Sequence, residues 1–94
     1  MMKLIWLPEA KADLERLYAV LADKNLISAN HALQRILDAT INLEDFPEIG
    51  RPMGDGTFRR EFFIPFGVSK YVLRYRLTDT HIVIIRVWHS REAR

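Results

Sequence analysis

Apolar residues recur along this chain with two different periods, one in its first half and one in its second. Up to about residue 46 they return at spacings of three and four, the period of a helix that buries one face. From residue 58 onward they return at every second position, the period of a strand with one covered face. The change of period predicts helices first and strands afterwards.

The first half predicts a short buried strand, "KLIWL", followed by a first helix. Pro8 suits the first helical position, where its missing N–H leaves no hydrogen bond unmade, whereas Leu7 before it has no side chain that can cap. We expect this helix to end near residues 24–25. Its apolar stripe consists of Ala10, Leu14, Leu17, Tyr18 and Leu21.

A second helix is predicted from a candidate N-cap at Ser28 to Phe46, where Pro47 ends it. The short link between the two helices predicts an antiparallel hairpin with one apolar side. The stripe of the second helix consists of Ala29, Ala32, Leu33, Ile36, Ala39, Thr40 and Leu43.

Three strands are predicted after the loop "PEIGRPMGDGT", which holds two prolines and three glycines. Alternation in the first sets Phe58, Arg60, Phe62, Ile64 and Phe66 against Arg59, Glu61 and Phe63. In the second it sets Tyr71, Leu73, Tyr75 and Leu77 against Val72, Arg74 and Arg76. In the third it sets His81, Val83, Ile85, Val87 and His89 against Ile82, Ile84, Arg86 and Trp88.

These elements predict one α+β domain over residues 1–94, in the order β-α-α-β-β-β, with a helical hairpin packed on a small and mainly antiparallel sheet. The sheet face opposite the helices is expected to hold Arg74 and Arg76. Arg86 has two possible roles, since an unpaired buried guanidinium is unfavourable. It either pairs internally with a carboxylate such as Glu61, or it joins the other two arginines on an exposed surface.

Composition excludes several kinds of site. The chain has no cysteine, which removes disulfides and thiolate chemistry, and no close cluster of His, Asp and Glu, so we expect neither a metal nor another cofactor. No apolar run approaches the roughly 20 residues of a membrane span, and the N-terminal run is too short for a signal peptide. A cytoplasmic protein without membrane contact is the expectation.

Charge is distributed unevenly between the halves. Residues 1–50 carry five Lys or Arg against eight Asp or Glu, whereas residues 51–94 carry nine against four, and eight of those nine are arginines. The planar guanidinium fork suits phosphate and carboxylate groups. The arginines either bind a partner of negative charge at the strands or simply occupy an exposed face of the sheet. A helical DNA-binding module is disfavoured because the predicted helices are net acidic.

In order and spacing, four segments resemble the RelE/ParE superfamily, the toxins of bacterial toxin–antitoxin pairs. They are "WLPEAKADLERL", "FPEIGRP", "YVLRYRL" and "IIRVWHSRE". The resemblance implies neutralisation by a cognate antitoxin in a hetero-oligomer. It also implies one of two activities, poisoning of DNA gyrase in ParE-like members or cleavage of messenger RNA in the ribosome in RelE-like members.

The ending "RVWHSRE" is similar to the Arg-Val-x-His-x-Arg ending of ParE-like chains, which favours the gyrase poison over an enzyme. RelE-like ribonucleases use lysines in the loop before the second strand and a tyrosine near the C-terminus; here that loop has no lysine and no tyrosine follows Tyr75. If the chain were nevertheless a ribonuclease, the catalytic candidates would be His89, Arg74, Arg76, Arg86 and Glu61, with His89 as the acid.

Two sets of residues are predicted to bind partners. Candidates for the target or another partner are Arg51, Arg59, Arg60, Arg74, Arg76, Arg86, Trp88, His89 and Arg91. For His89 a structural role at the end of a strand is the favoured alternative. Phe62 and Phe63 cannot share one buried face, so part of the phenylalanine cluster is expected to be exposed for an antitoxin. The antitoxin-contact candidates are Phe62, Phe63 and Phe66.

Overall fold

The computed structural model describes residues 2–92 and has the α+β architecture that the sequence predicts. Its elements in chain order are β1 (Lys3–Trp6), α1 (Pro8–Ala22), α2 (Leu26–Asp45), β2 (Arg51–Pro52), β3 (Arg59–Phe66), β4 (Ser69–Leu77) and β5 (His81–His89). The two-residue strand β2, inside the segment predicted as a loop, is the one element that the periodicity misses.

The residues at the N-terminal end of each helix explain where it begins. Pro8 occupies the first turn of α1, and Leu7 provides no side-chain cap, as predicted. The predicted cap of α2 is wrong: Asn25 is the N-cap, and its side chain accepts a hydrogen bond from the N–H of Ser28 at 3.0 Å. An amide at this position satisfies one of the free N–H groups of the first turn, so α2 starts three residues earlier than the sequence predicts.

The five strands form one sheet in the order β1-β5-β4-β3-β2. Strand β1 pairs in parallel with β5, and the other neighbours pair antiparallel. The helical hairpin covers one side, where the stripes of α1 and α2 meet alternate residues of the central strands. The buried residues of β4 on that side are Tyr71, Leu73 and Tyr75, as its alternation predicts.

Tyr75 joins the core to the connection that follows α2. Its hydroxyl donates to the carbonyl of Pro47 at 2.7 Å and accepts from the N–H of Gly50 at 2.8 Å. A Cβ on Gly50 would lie 2.6 Å from that hydroxyl, so only glycine allows the close approach. Gly50 is therefore required by the close approach of the Tyr75 hydroxyl.

Strand β5 contains an irregularity that the predicted alternation does not include. Arg74 pairs with Arg86, but the next residue of β4, Tyr75, pairs with Ile84, so Ile85 is an extra residue in β5. Such a bulge exchanges the faces of the residues beyond it. Ile82 and Ile84 are buried on the helix side together with Val87, which the sequence places on the opposite face from them.

Within residues 2–92, neither helix combines the length and the hydropathy needed to cross a lipid bilayer.

Candidate functional site

The side of the sheet that the helices leave uncovered is the main candidate site, and we call it the open face. Because Tyr71, Leu73 and Tyr75 point to the helices, the residues between them point away. Cross-strand pairing fixes their neighbours: Phe63 and Trp88 lie on either side of Val72, and Arg59 lies opposite Arg76. The open face consists of Arg51, Arg59, Glu61, Phe63, Lys70, Val72, Arg74, Arg76 and Trp88.

Arg74 lies at the centre of the open face and is held from two sides. Its Nε and one terminal nitrogen donate to Oε2 of Glu61 at 3.1 and 2.7 Å. Its guanidinium carbon lies 5.0 Å from the centre of the Trp88 ring, within range of a cation–π contact. Both ends of the ion pair keep partial solvent exposure, so its contribution is to orientation more than to stability. Arg74 is thus presented in a fixed direction.

Phe63 forms the apolar part of the open face. Its side chain is 36% exposed, and two cations approach its ring, the Arg51 guanidinium at 5.5 Å and the Lys70 ammonium at 4.5 Å. Val72 fills the space between Phe63 and Trp88 in the pairing register. An aromatic strip edged by cations suits a partner that brings apolar side chains together with carboxylates.

Two arginines face each other at the end of the open face near the β4–β5 turn. Arg59 is directly opposite Arg76 in the register. The charge of Arg59 is compensated by Asp55 at 2.9 Å, whereas Arg76 is exposed and has no carboxylate partner among residues 2–92. Arg76 is consequently the arginine of this face that is most available to a ligand.

Arg86 is directly opposite Arg74 in the register, but its guanidinium is bound by a carboxylate of α1. Its Nε and a terminal nitrogen donate to the two carboxylate oxygens of Asp13 on α1, at 2.7 and 3.0 Å. The same carboxylate accepts the backbone N–H of Val87 at 2.9 Å, on the edge of β5 that β1 leaves free after Trp6. The internal pair, one of the two alternatives for Arg86, is the one observed, with Asp13 as partner in place of Glu61.

Asp13 is almost completely buried, with 4% of its surface exposed. Burial opposes ionisation of the carboxyl group, but hydrogen bonds from Arg86, the Val87 N–H and Arg16 outweigh it, and the pKa of Asp13 lies below its usual 3.8. In turn, Asp13 raises the pKa of Arg86. The signal for this pair was in the sequence: Asp13 is three residues after Ala10 and four before Leu17, in the buried stripe of α1, where a carboxylate requires a cation.

His89 lies on the helix side of the sheet, away from the open-face arginines. Its ring meets that of Tyr71 edge-on, with centres 5.4 Å apart. Its Nδ1 accepts the N–H of Arg91 at 3.1 Å, so in the neutral ring the proton is on Nε2. A cleft of about 450 Å³, here the tail cleft, opens beside it and is lined by Arg16, Leu17, Val20, Leu21, Lys24, Phe66, Tyr71, His89, Arg91 and Glu92.

Two lining residues of the tail cleft, Arg16 and Glu92, form an ion pair. Glu92 accepts hydrogen bonds from Arg16 of α1 and from the backbone N–H of His89, the latter at 2.8 Å. Burial, together with the charge of Glu92, raises the pKa of the Tyr71 hydroxyl above 10.0. Tyr71 is therefore a neutral phenol at physiological pH, adjacent to the imidazole of His89.

The remaining candidates have structural contacts. Arg60 points to the helix side and donates from one nitrogen to the carbonyls of Glu48 and Gly50, at 3.0 and 2.8 Å. Phe62 and Phe66 pack against the core, whereas Phe63 alone of the three antitoxin-contact candidates belongs to the open face. Phe58, predicted to continue the alternation of β3, precedes that strand and is exposed.

Comparison with known proteins identifies the family. A family model described as "ParE toxin of type II toxin-antitoxin system, parDE" matches residues 4–94. The chain belongs to the ParE toxin family. It is thus a toxin of the RelE/ParE superfamily, as its four segments predict, and membership implies a cognate antitoxin.

Curated relatives and a solved structure agree with this assignment. The toxin is 40% identical over 86 residues to Toxin RelE1 of Caulobacter vibrioides, covering 90% of this chain and 89% of the relative. It is 33% identical over 87 residues to Toxin RelE3 of the same organism, with 93% and 92% covered. A chain of the chromosomal ParDE TA system from P. aeruginosa has the same fold, with a TM-score of 0.75, 24% identity, and 95% and 96% of the two chains covered.

Proposed function

We propose that this toxin is a ParE-like poison of DNA gyrase that acts by binding, is not itself a hydrolase, and is neutralised by its antitoxin. The observation that carries the proposal is the separation of His89 from the open face. Arg74 and Arg76 point away from the helices, whereas His89 contacts Tyr71 on the helix side. Phosphodiester cleavage needs cations and a proton-transfer group at the same phosphate.

The single carboxylate in the open face does not supply that chemistry. Glu61 accepts both hydrogen bonds of Arg74 and is directly opposite it in the register. A carboxylate held in this way orients the guanidinium and is a poor base. The open face is therefore suited to recognition, with Arg74 and Arg76 supplying charge and Phe63 and Trp88 supplying apolar area.

The antitoxin is expected to cover the same face. Phe63, with its two neighbouring cations, would receive an apolar residue of the antitoxin flanked by carboxylates. Masking of Arg74 and Arg76 by the antitoxin would then block the target directly. Since gyrase works on DNA in the cytoplasm, this proposal also assigns the toxin to that compartment.

A gyrase assay tests the proposal. Purified toxin, gyrase, ATP and plasmid should accumulate cleaved DNA, and the double variant Arg74→Ala, Arg76→Ala should need about tenfold more protein for the same effect. Lys11→Ala is a matched control, because it removes an exposed cation from α1 on the other side of the sheet. Unaltered plasmid at every toxin concentration would refute the gyrase assignment.

A ribosome-dependent messenger RNA endoribonuclease is the second candidate, favoured by the RelE names of the curated relatives. The structure offers it a different site, the tail cleft, where His89 and Tyr71 meet near Arg16, Lys24 and Arg91. After induction in cells, this function predicts cleaved messages and a stop in translation before any DNA damage. His89→Ala would abolish that effect if the toxin is a ribonuclease, whereas a gyrase poison acting through the open face would keep its activity in this variant.

A further inference from the structure

Phe58 is held in an unfavourable backbone conformation, and yet almost none of its side chain is buried. Its φ is 59°, in the left-handed region, and no other non-glycine residue among residues 2–92 has a positive φ. Its side chain is 81% exposed. A bulky residue in this conformation destabilises the folded chain, and packing does not compensate for it here. Strain of this kind is retained where the residue is used in binding.

The loop that carries Phe58 is braced on both sides of it. Asp55 accepts hydrogen bonds from the hydroxyl and the N–H of Thr57 and from Arg59, the last at 2.9 Å. Arg59 also donates to the Thr57 hydroxyl at 2.9 Å. The Thr57 hydroxyl, Arg59 and the Thr57 N–H lower the pKa of Asp55 to about 2, so the brace is charged at physiological pH. A braced loop loses little backbone freedom on binding, which favours affinity.

The surroundings of Phe58 favour a protein partner over a nucleic acid. A cleft of about 350 Å³ next to the ring includes Glu48, Arg59 and Arg60. The two guanidiniums already donate to Asp55, Thr57 and backbone carbonyls, and the carboxylates of Glu48 and Asp55 would repel phosphates. A lone exposed aromatic residue with mixed charges around it fits an apolar pocket with a polar rim, the arrangement of a protein hot spot.

We propose that Phe58 is an anchor residue that enters an apolar pocket on the protein target of the toxin. This inference rests on the proposed function, in that the toxin acts by binding a protein. Phe58 precedes β3 and lies outside the continuous open face around Phe63 and Trp88, which is assigned to the antitoxin. Phe58 is therefore expected to add to target binding from outside the surface that the antitoxin covers, so substitution of Phe58 separates the two interactions.

The test uses the full-length toxin with Phe58→Ala, Phe58→Gly and Phe58→Leu. The control Val68→Ala alters another exposed apolar residue, 95% exposed in the turn between β3 and β4. Each protein is induced to equal levels for growth measurements and is purified for its Tm and its Kd for the antitoxin. We expect the Ala and Gly variants to need about tenfold more protein to arrest growth, with the Leu variant and the control close to wild type.

Two accompanying results distinguish an anchor from a structural residue. Phe58→Gly should have a Tm equal to or above that of wild type, because glycine adopts the left-handed conformation without strain. The Kd for the antitoxin should change less than twofold in all variants. Growth arrest by the Ala and Gly variants at wild-type levels would overturn the proposal, as would a loss of antitoxin affinity or of Tm in parallel with the loss of growth arrest.

The anchor and the gyrase assignment fail in different ways. If wild-type toxin leaves gyrase unaffected while Phe58→Ala still loses growth arrest, the gyrase assignment is refuted and the anchor stands. If wild type and Phe58→Ala poison gyrase equally, the anchor is refuted and the assignment stands. Binding of a single-stranded oligonucleotide that depends on the Phe58 ring would overturn the anchor in favour of a nucleic acid, and a wild-type chain that arrests no growth would overturn both.

Discussion

Arg74 and Arg86 are paired residues on neighbouring strands, yet they have opposite surroundings. Arg74 points to the open face, where Glu61 and Trp88 orient it at the surface. The guanidinium of Arg86 extends to α1, where its Nε and a terminal nitrogen donate to the buried Asp13. The comparison shows that two arginines opposite each other have different carboxylate partners, Glu61 at the surface for Arg74 and the buried Asp13 for Arg86. We propose that the first serves recognition and the second folding.

The end of β1 accounts for this difference. The bulge breaks the alternation of β5, and because β1 stops opposite Ile84, the next part of β5 has a free edge. Helix α1 then brings Asp13 to that edge, where its carboxylate also takes the N–H of Val87. One carboxylate thereby replaces the missing strand and neutralises the arginine.

The largest expected effect is that of Asp13→Ala. It leaves a partly buried guanidinium and a buried N–H without their partner, and we expect the free energy of unfolding to fall by about 2–3 kcal/mol. Urea unfolding followed by circular dichroism measures this loss. Glu15→Ala is the control, because it removes an exposed carboxylate from the same helix and should change stability by less than about 0.5 kcal/mol. Equal losses in the two variants would refute a stabilising role for the Asp13–Arg86 pair.

Arg86→Ala should cost less, about 1–2 kcal/mol of unfolding free energy, because Asp13 keeps its hydrogen bonds from Val87 and Arg16. Once folded, this variant should retain growth inhibition, since the open face is untouched. The measurement pairs urea unfolding with growth arrest at 25 °C. Loss of toxicity with full stability would instead assign Arg86 to the target.

The pH dependence of stability tests the same Asp13–Arg86 pair, and the expected effect is smaller. Because the folded pKa of Asp13 is below 3.8, its charged form stabilises the fold above that pH, and this contribution is lost as pH falls through the folded pKa. Wild type should therefore lose more stability than Asp13→Asn between pH 6 and pH 3. Parallel curves for the two proteins would contradict the role given to the carboxylate.

Arg74→Ala should change stability little, by less than about 1 kcal/mol, since both ends of its ion pair are partly exposed. Its growth inhibition should nevertheless fall by about tenfold because the orienting contacts of the open face are lost. Arg74→Ala is thus expected to lose toxicity with little loss of stability, whereas Arg86→Ala is expected to lose stability with little loss of toxicity. Similar ratios in the two variants would remove the distinction drawn between the two arginines.

The smallest change in stability is expected for Arg76→Ala, within about 0.5 kcal/mol of wild type. The side chain is exposed and lies opposite Arg59, so its removal relieves a repulsion between like charges. Thermal unfolding at low and at 0.5 M salt measures this, and added salt should reduce the difference from wild type. A clear loss of Tm would show that Arg76 has a structural partner.

Local patterns in the sequence predict most of the architecture. The stripe of α2 through Ile36 and Leu43 and the alternation of β4 through Tyr71, Leu73 and Tyr75 are regular, because each of these elements has one face covered along its length. The N-cap is a harder case, since Asn25 and Ser28 are both good caps and the choice depends on where the chain leaves α1.

The sequence by itself determined the period of both helices and of β4, the order of the main elements and the family, since these depend on residues close together in the chain. Only the tertiary structure decided the partner of Arg86, the face of His89 and the exposure of Phe58. Those outcomes depend on a one-residue bulge, on where β1 ends and on a backbone turn, and each brings together or separates groups that are far apart in sequence. Asp13 and Arg86 are 73 positions apart, and only the packing of α1 against β5 makes them neighbours.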